Sequence, residues 1–133
     1  MTRKEAREAG FIIIIEHKFQ PMPADNLLEL YYAYKGEVDD QKDYPENLVR
    51  TTIDHLEDID ALIEQHAEGW SVNRLSRVSL AALRIGICEM LYDDAIADSI
   101  AINEAVQLAK DYETEKASSF VNGILGAIAK TRS

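Results

Sequence analysis

Three cationic side chains, Arg3, Lys4 and Arg7, fall within the first seven residues of a chain whose formal net charge is −10. On a helix they lie at roughly 0°, 100° and 40°, on one face of the first two turns. Cations at a helix N-terminus oppose the helix macrodipole, so helix stability does not explain them. Their chemistry suits contact with phosphate groups. The alternative is a solubilising tip whose cations pair with Glu5 or Glu8.

Other residue types that could do chemistry show no pattern typical of a site. The histidines His17, His55 and His66 lack metal-ligand spacing, because a metal site needs a tight cluster of ligands. The single cysteine, Cys88, lies in the most apolar stretch and is predicted to be a buried thiol that activity does not require. Carboxylates are plentiful but follow solvent-exposed faces and helix starts. We predict no catalytic residue, no metal and no cofactor, and the sequence gives no positive support for an enzyme.

Length and composition are those of one soluble globular domain, spanning residues 1–133, with 47% apolar and 29% charged residues. One cysteine excludes an internal disulfide, which favours a reducing compartment such as the cytoplasm. The apolar run "GFIIII" is far shorter than the roughly 20 residues of a membrane span, so no membrane association is predicted. The net acidity argues against general nucleic-acid binding but leaves room for a local basic site.

The elements that position these residues are predicted to be helices, because apolar residues recur at steps of three and four. Thr2 and Glu5 form a capping-box pattern at the first helix. The stretch "LAALRIGICEMLYDD" is apolar on most faces and is predicted to be the central core helix. The other predicted helices run from about Pro23 to Lys35 with Gly36 as the stop, from Pro45 to near Gly69 as one long helix, from a cap at Asp98 or Ser99 onwards, and through Phe120 to the end.

Several polar residues have structural and functional interpretations that the sequence leaves open. Ser79 is the predicted cap of the central helix. Asn103 and Asn122 lie within apolar stripes, and we expect them to be buried in hydrogen bonds between helices. Lys116 precedes the last helix and would extend the basic patch if the two chain ends meet. The acidic segment 37–46 is expected to be a solvated loop, or a surface that steers a basic protein.

Three stretches together resemble a known family. They are "WSVNRLSRVSLAALRIGICEML" (Trp70 to Leu91), "AINEAVQLAK" (Ala101 to Lys110) and "SSFVNGILGAIAK" (Ser118 to Lys130). In this order and spacing they are similar to the NusB family of bacterial transcription antitermination factors. The N-terminal "TRKEAREAG" is a fainter similarity to the basic first helix of that family.

The resemblance implies an all-α fold of about six to seven helices, in which two small helical bundles share a central helix. It also implies pairing with NusE, a small-subunit ribosomal protein, and binding to boxA RNA. Such a pair helps RNA polymerase, which it meets only indirectly, to elongate through ribosomal RNA operons. A homodimer is a further possibility.

With this resemblance, contact with RNA phosphates becomes the favoured interpretation of Arg3, Lys4 and Arg7, and Lys116 is a further RNA-binding candidate. Phe120 is a candidate for partner binding, or else a core residue. One alternative is a NusB-like protein-interaction module that does not bind RNA. Another is the NusB-like domain of ribosomal RNA cytosine methyltransferases. The chain ends soon after its last predicted helix, and a coding sequence that continues past Ser133 would revive this last alternative.

Overall fold

The computed structural model describes residues 2–19, 21–35 and 43–132. Over these ranges the chain forms α-helices and one short 3-10 turn (Val72–Arg74), without a strand. The all-helical prediction of six to seven helices is therefore confirmed. The helices are α1 (Arg3–Phe19), α2 (Ala24–Lys35), α3 (Asp43–Asp54), α4 (Leu56–His66), α5 (Arg77–Tyr92), α6 (Asp98–Tyr112) and α7 (Glu115–Arg132).

Helix α5 forms the centre of the fold. All of its residues from Ser79 to Met90 are buried, which confirms the predicted core helix. On one side α5 packs against α1 and α3, which also pack on each other and on α2. On the other side it packs against α4, α6 and α7, and α7 packs on both α4 and α6. Two small bundles therefore share α5, as the resemblance implies.

Gly86 allows the close approach of α5 to its neighbours. A Cβ atom at this position would lie 2.8 Å from Cδ1 of Leu125 and 3.1 Å from Cβ of Ala105. Both neighbours are buried, in α7 and α6, so neither can move away freely. Glycine at this position is therefore favoured by helix packing rather than by backbone conformation.

The N-terminal cap of α1 agrees with the sequence prediction. The Glu5 amide donates to Oγ1 of Thr2 at 3.0 Å, and the Thr2 amide donates to Oε1 of Glu5 at 2.9 Å. These two bonds satisfy amides at the helix start that have no partner within the helix. The capping box therefore starts α1 at the turn that contains Arg3 and Lys4.

Two other predicted caps are wrong. Helix α5 begins earlier than expected, because Ser76 has an extended backbone and its hydroxyl accepts from the Ser79 amide at 3.1 Å. Ser79 is thus a buried residue of the first turn and not the cap. The N-cap of α6 is Ala97, which has no side-chain acceptor. Asp98 lies in the first turn of α6 and pairs with Arg132 at 2.8 Å.

The predicted long helix from Pro45 to near Gly69 is two helices, α3 and α4, separated at His55. The His55 ring stacks on Tyr92 with centroids 4.0 Å apart. Backbone bonds still join Thr51 to His55 and His55 to Ile59, so the hydrophobic period continues through the break. A periodic pattern alone therefore could not show the break between α3 and α4.

The acidic segment predicted as a loop enters α3 at Asp43, and its residues 37–42 lie outside the described ranges, as does Gly36 before them.

Candidate nucleic-acid interface

Arg3 and Lys4 form the exposed basic tip of α1. The guanidinium carbon of Arg3 lies 3.9 Å from the ring centroid of Tyr44, in the first turn of α3. This is a cation–π contact. We call Arg3 and Lys4 together the basic tip.

Arg7 belongs to the interior and not to the exposed face. Its exposed fraction is 4%, and its Nε–H donates to both carboxylate oxygens of Glu89, at 2.8 and 2.9 Å. Nη1 of Arg7 also lies 3.7 Å from Oε1 of Glu104. The expectation that Arg7 shares an exposed face with Arg3 and Lys4 is therefore wrong, because one turn into α1 this face packs against α5.

Glu89 is the partner that the sequence interpretation missed. Carboxylates were expected on solvent-exposed faces, yet Glu89 is only 1% exposed. Its position inside the most apolar helix was a usable signal, because a buried carboxylate requires a cation and hydrogen bonds. Burial lowers the pKa of Arg7, but the bond and charge of Glu89 outweigh this effect and raise it overall. Arg7 therefore stays charged at any physiological pH.

Tyr44 connects the buried pair to the basic tip. Its hydroxyl donates to Oε2 of Glu89, and its ring contacts the guanidinium group of Arg3. Burial, followed by the hydrogen bond to Glu89, raises the pKa of Tyr44, so the phenol is neutral at physiological pH. A chain of contacts thus runs from Arg3 through Tyr44 and Glu89 to Arg7.

Acidic side chains bound the basic tip on one side. Lys4 and Arg7 line a small cavity whose other walls include Glu8, Glu104 and Asp111. A phosphate approaching from that side would meet carboxylates, which repel it. That side of the tip is therefore unfavourable for an RNA backbone.

Lys116 lies in a different region from the basic tip. It lines a groove of about 310 Å³ together with Trp70, Arg74 and Phe120. Leu75, in the same groove, accepts a hydrogen bond from Nζ of Lys18 near the end of α1. Lys4 and Lys18 are separated by about 20 Å along the helix, so Lys116 does not extend the basic tip as expected. We call this region the aromatic groove.

The aromatic groove combines aromatic rings with exposed cations. Trp70 is 49% exposed, Phe120 is half-buried, and Arg74 and Lys116 are exposed. Glu113 is fixed beside them because it accepts hydrogen bonds from the hydroxyls of Ser76 and Ser79 at 3.0 and 3.2 Å. Aromatic faces with neighbouring cations can stack bases and contact phosphates.

Two predicted polar residues are not in the core. Asn103 and Asn122 are exposed, so their expected burial between helices is wrong. The helical stripes in which they lie face the solvent at these positions.

Cys88 is buried as predicted, and burial raises the pKa of its thiol to about 11.

The described ranges contain neither a cluster of metal ligands nor a membrane-spanning helix. There, His, Cys, Asp and Glu side chains form no group of three or more that could hold a metal ion. None of the helices in these ranges is long and apolar enough to cross a membrane.

Known proteins resemble this chain over nearly its whole length. The model of the NusB family matches residues 4–130. Transcription antitermination protein NusB from Thermoanaerobacter pseudethanolicus is 42% identical over 130 residues, covering 98% of this chain and 91% of that protein.

Two solved structures share the fold. The structure of T. maritima NusB aligns with a TM-score of 0.88 at 35% identity, covering 98% of this chain and 92% of that one. In the crystal structure of antitermination factors NusB and NusE in complex with dsRNA, the matching chain has a TM-score of 0.86 at 33% identity. That alignment covers 97% of this chain and 96% of the other. Because the family match, the identity and the fold all extend over almost the whole length, this chain belongs to the NusB family.

Proposed function

We propose that this protein is a transcription antitermination factor that pairs with NusE and binds boxA-type RNA. The pair would promote elongation by RNA polymerase through ribosomal RNA operons. In this role the protein binds RNA and protein without catalysing a reaction, and it acts in the cytoplasm. The proposal rests on its membership of the NusB family and on the similar fold of a NusB crystallised with NusE and dsRNA.

The observation that supports RNA binding most directly is the aromatic groove. Arg74 and Lys116 lie there beside the exposed ring of Trp70. Stacking on aromatic rings contributes about 1–3 kcal/mol per base for single-stranded nucleic acids. The cations add a salt-dependent attraction for phosphates. This arrangement suits an unpaired RNA segment better than a duplex, whose bases are stacked on each other.

The basic tip supplies a second region for phosphate contact. Because Arg7 is buried and paired with Glu89, two cations rather than three are exposed at the tip. A chain with net charge −10 needs a basic partner to hold RNA firmly, because long-range repulsion opposes binding. NusE, as a ribosomal protein, would provide this charge, and Phe120 is the candidate contact to it.

The smaller number of exposed cations at the basic tip favours one alternative, a protein-interaction module without RNA binding. Two tip cations would give only a weak, salt-sensitive contact. This alternative and the main proposal differ in one measurable property, which is RNA retention in the presence of NusE.

A gel shift with boxA-type RNA, with and without NusE, at two salt concentrations tests the proposal. We expect retention with NusE that weakens as salt rises. The variant Arg74→Ala/Lys116→Ala should weaken retention, whereas Arg50→Ala should not, because Arg50 is an exposed cation on α3 that pairs with Asp25. Retention that is absent with NusE at both salt concentrations would favour the protein-interaction module.

A further inference from the structure

Among the described residues, the contact that holds Arg3 at the surface is with an aromatic ring and not with a carboxylate. Its guanidinium carbon is 3.9 Å from the centroid of Tyr44. A guanidinium group stacks through its face, whereas its N–H donors point outwards in its plane. The stacking contact therefore fixes the group and leaves the donors available, which an ion pair with a carboxylate would not do.

The ring of Tyr44 is itself held in place by a buried residue. Its hydroxyl donates to Glu89, and Glu89 is held by the Nε–H of Arg7. Helices α1, α3 and α5 each contribute a residue to this arrangement. Donation of the phenol hydrogen to a carboxylate increases the electron density of the ring, which strengthens its attraction for a cation on its face.

Charge balance keeps Arg3 directed outwards. Glu89, the buried carboxylate that accepts from Tyr44, is neutralised by Arg7 at 2.8 Å. Glu89 therefore does not draw the guanidinium of Arg3 into the core. Its own positive charge remains available to a phosphate in the solvent.

We propose that Tyr44 is a positioning residue for RNA binding, which orients Arg3 so that its free donors face an RNA phosphate. This inference rests on the proposed contact between the basic tip and RNA. Because Tyr44 already holds Arg3 in the free protein, binding would lose less side-chain entropy than it would with a mobile arginine. Tyr44 thus contributes to RNA affinity without touching RNA.

The test is a double-mutant cycle in RNA affinity, measured with boxA-type RNA and the NusE complex. Tyr44→Leu should weaken binding roughly two- to fivefold, the effect expected of an exposed cation–π contact. In the Arg3→Ala background the same substitution should have no further effect, because it acts through Arg3. Equal losses in both backgrounds would overturn the inference, since a merely structural role does not depend on Arg3.

Two more variants keep the test decisive if Tyr44→Leu unfolds. Arg3→Lys keeps the charge but loses the planar stacking group, and it should weaken binding although the site is exposed. Wild-type affinity in Arg3→Lys would overturn the inference. Tyr32→Leu is the matched control, because Tyr32 also donates to a carboxylate, Glu46, at 2.6 Å. It should leave RNA affinity unchanged.

The outcomes also separate this inference from the proposed function. If Arg3→Ala weakens binding while Tyr44→Leu is folded and binds as wild type, the tip contacts RNA and only the positioning role is wrong. If Arg3→Ala itself binds as wild type, the tip contact is wrong and the role of Tyr44 falls with it. Retention through the aromatic groove would remain measurable in that case.

Discussion

The Nε–H of Arg7 is shared between both carboxylate oxygens of Glu89, at 2.8 and 2.9 Å, across 82 residues of sequence. The pair joins α1 to the central helix α5 in a region where both side chains are buried. Buried ion pairs contribute little net stability compared with apolar residues of similar size. Removing one member, however, leaves an unpaired buried charge, and this cost is large.

Arg7→Ala should therefore destabilise the fold by about 3 kcal/mol or more, measured by urea or thermal unfolding. Lys4→Ala, at an exposed position on the same helix, should change the unfolding free energy by less than about 0.5 kcal/mol. An Arg7→Ala variant of wild-type stability would contradict the structural role of Arg7. If that variant also lost RNA binding, Arg7 would be an RNA contact after all.

Two glycines should respond to alanine in opposite directions. Gly86→Ala introduces a methyl group against Leu125 and Ala105, and overpacking of this kind costs about 1–3 kcal/mol, partly offset by better helix propensity. We expect a net loss of about 1 kcal/mol. Gly123→Ala places its methyl group in open space and should gain roughly 0.5–1 kcal/mol. Chemical unfolding of both variants tests the pair, and equal shifts would contradict the packing described for α5.

Cys88 should react slowly with thiol reagents in the native state. Burial raises the pKa of its thiol to about 11, so the reactive thiolate is scarce at neutral pH. Reaction with an aromatic disulfide reagent should become fast once the protein is unfolded in denaturant. Cys88→Ser should keep RNA binding while folded. Rapid native-state labelling would show that this part of α5 opens more readily than the structure implies.

The sequence predicted local features well and failed where distant residues meet. The capping box of Thr2 and Glu5 was predictable because both partners lie within one helical turn. The burial of Arg7 was not, because helical spacing places it beside Arg3 and the packing of α1 on α5 decides its environment. Ser76 and Ser79 show the intermediate case, in which a cap was predicted close to the correct residue but not at it.

The candidate RNA site also has features that the sequence predicted and features that it could not predict. Residue type and the family resemblance predicted that Arg3, Lys4 and Lys116 bear on RNA, and this stays a prediction. The separation of Lys116 from the basic tip depends on the path of α1 and the turn before α5, which no local pattern encodes. Trp70 and Arg74 lie on that turn, and their convergence with Phe120 was equally invisible in the sequence.

His17 should make stability depend on pH. Burial, followed by repulsion from Arg84, lowers the pKa of His17 from 6.5. The unfolded chain therefore binds a proton at a higher pH than the folded one, so stability is full above about pH 6.5 and falls as pH drops below it. His17→Gln should reduce the loss of unfolding free energy between about pH 7.5 and pH 5. An NMR titration of folded protein that places the pKa of His17 above 6.5 would contradict the sign.

The basic tip yields the sharpest test of RNA contact. If Arg3 and Lys4 contact phosphates, Arg3→Ala and Lys4→Ala should each weaken RNA binding by the NusE complex. Each loss should vary little with base sequence, because phosphate contacts position the RNA and do not specify it. Each should also reduce the slope of log affinity against log salt by about 0.7 for single-stranded RNA.

The double variant Arg3→Ala/Lys4→Ala is the decisive version of this experiment. Both side chains are exposed and their charges oppose the helix dipole, so folding should barely change and binding to NusE alone should persist. Arg50→Ala removes an exposed cation from another helix and should leave the salt slope unchanged. If the double variant binds boxA-type RNA as tightly as wild type, with the same slope, the tip serves solubility only. RNA would then be held elsewhere, and the aromatic groove with Arg74 and Lys116 would be the surface to test next.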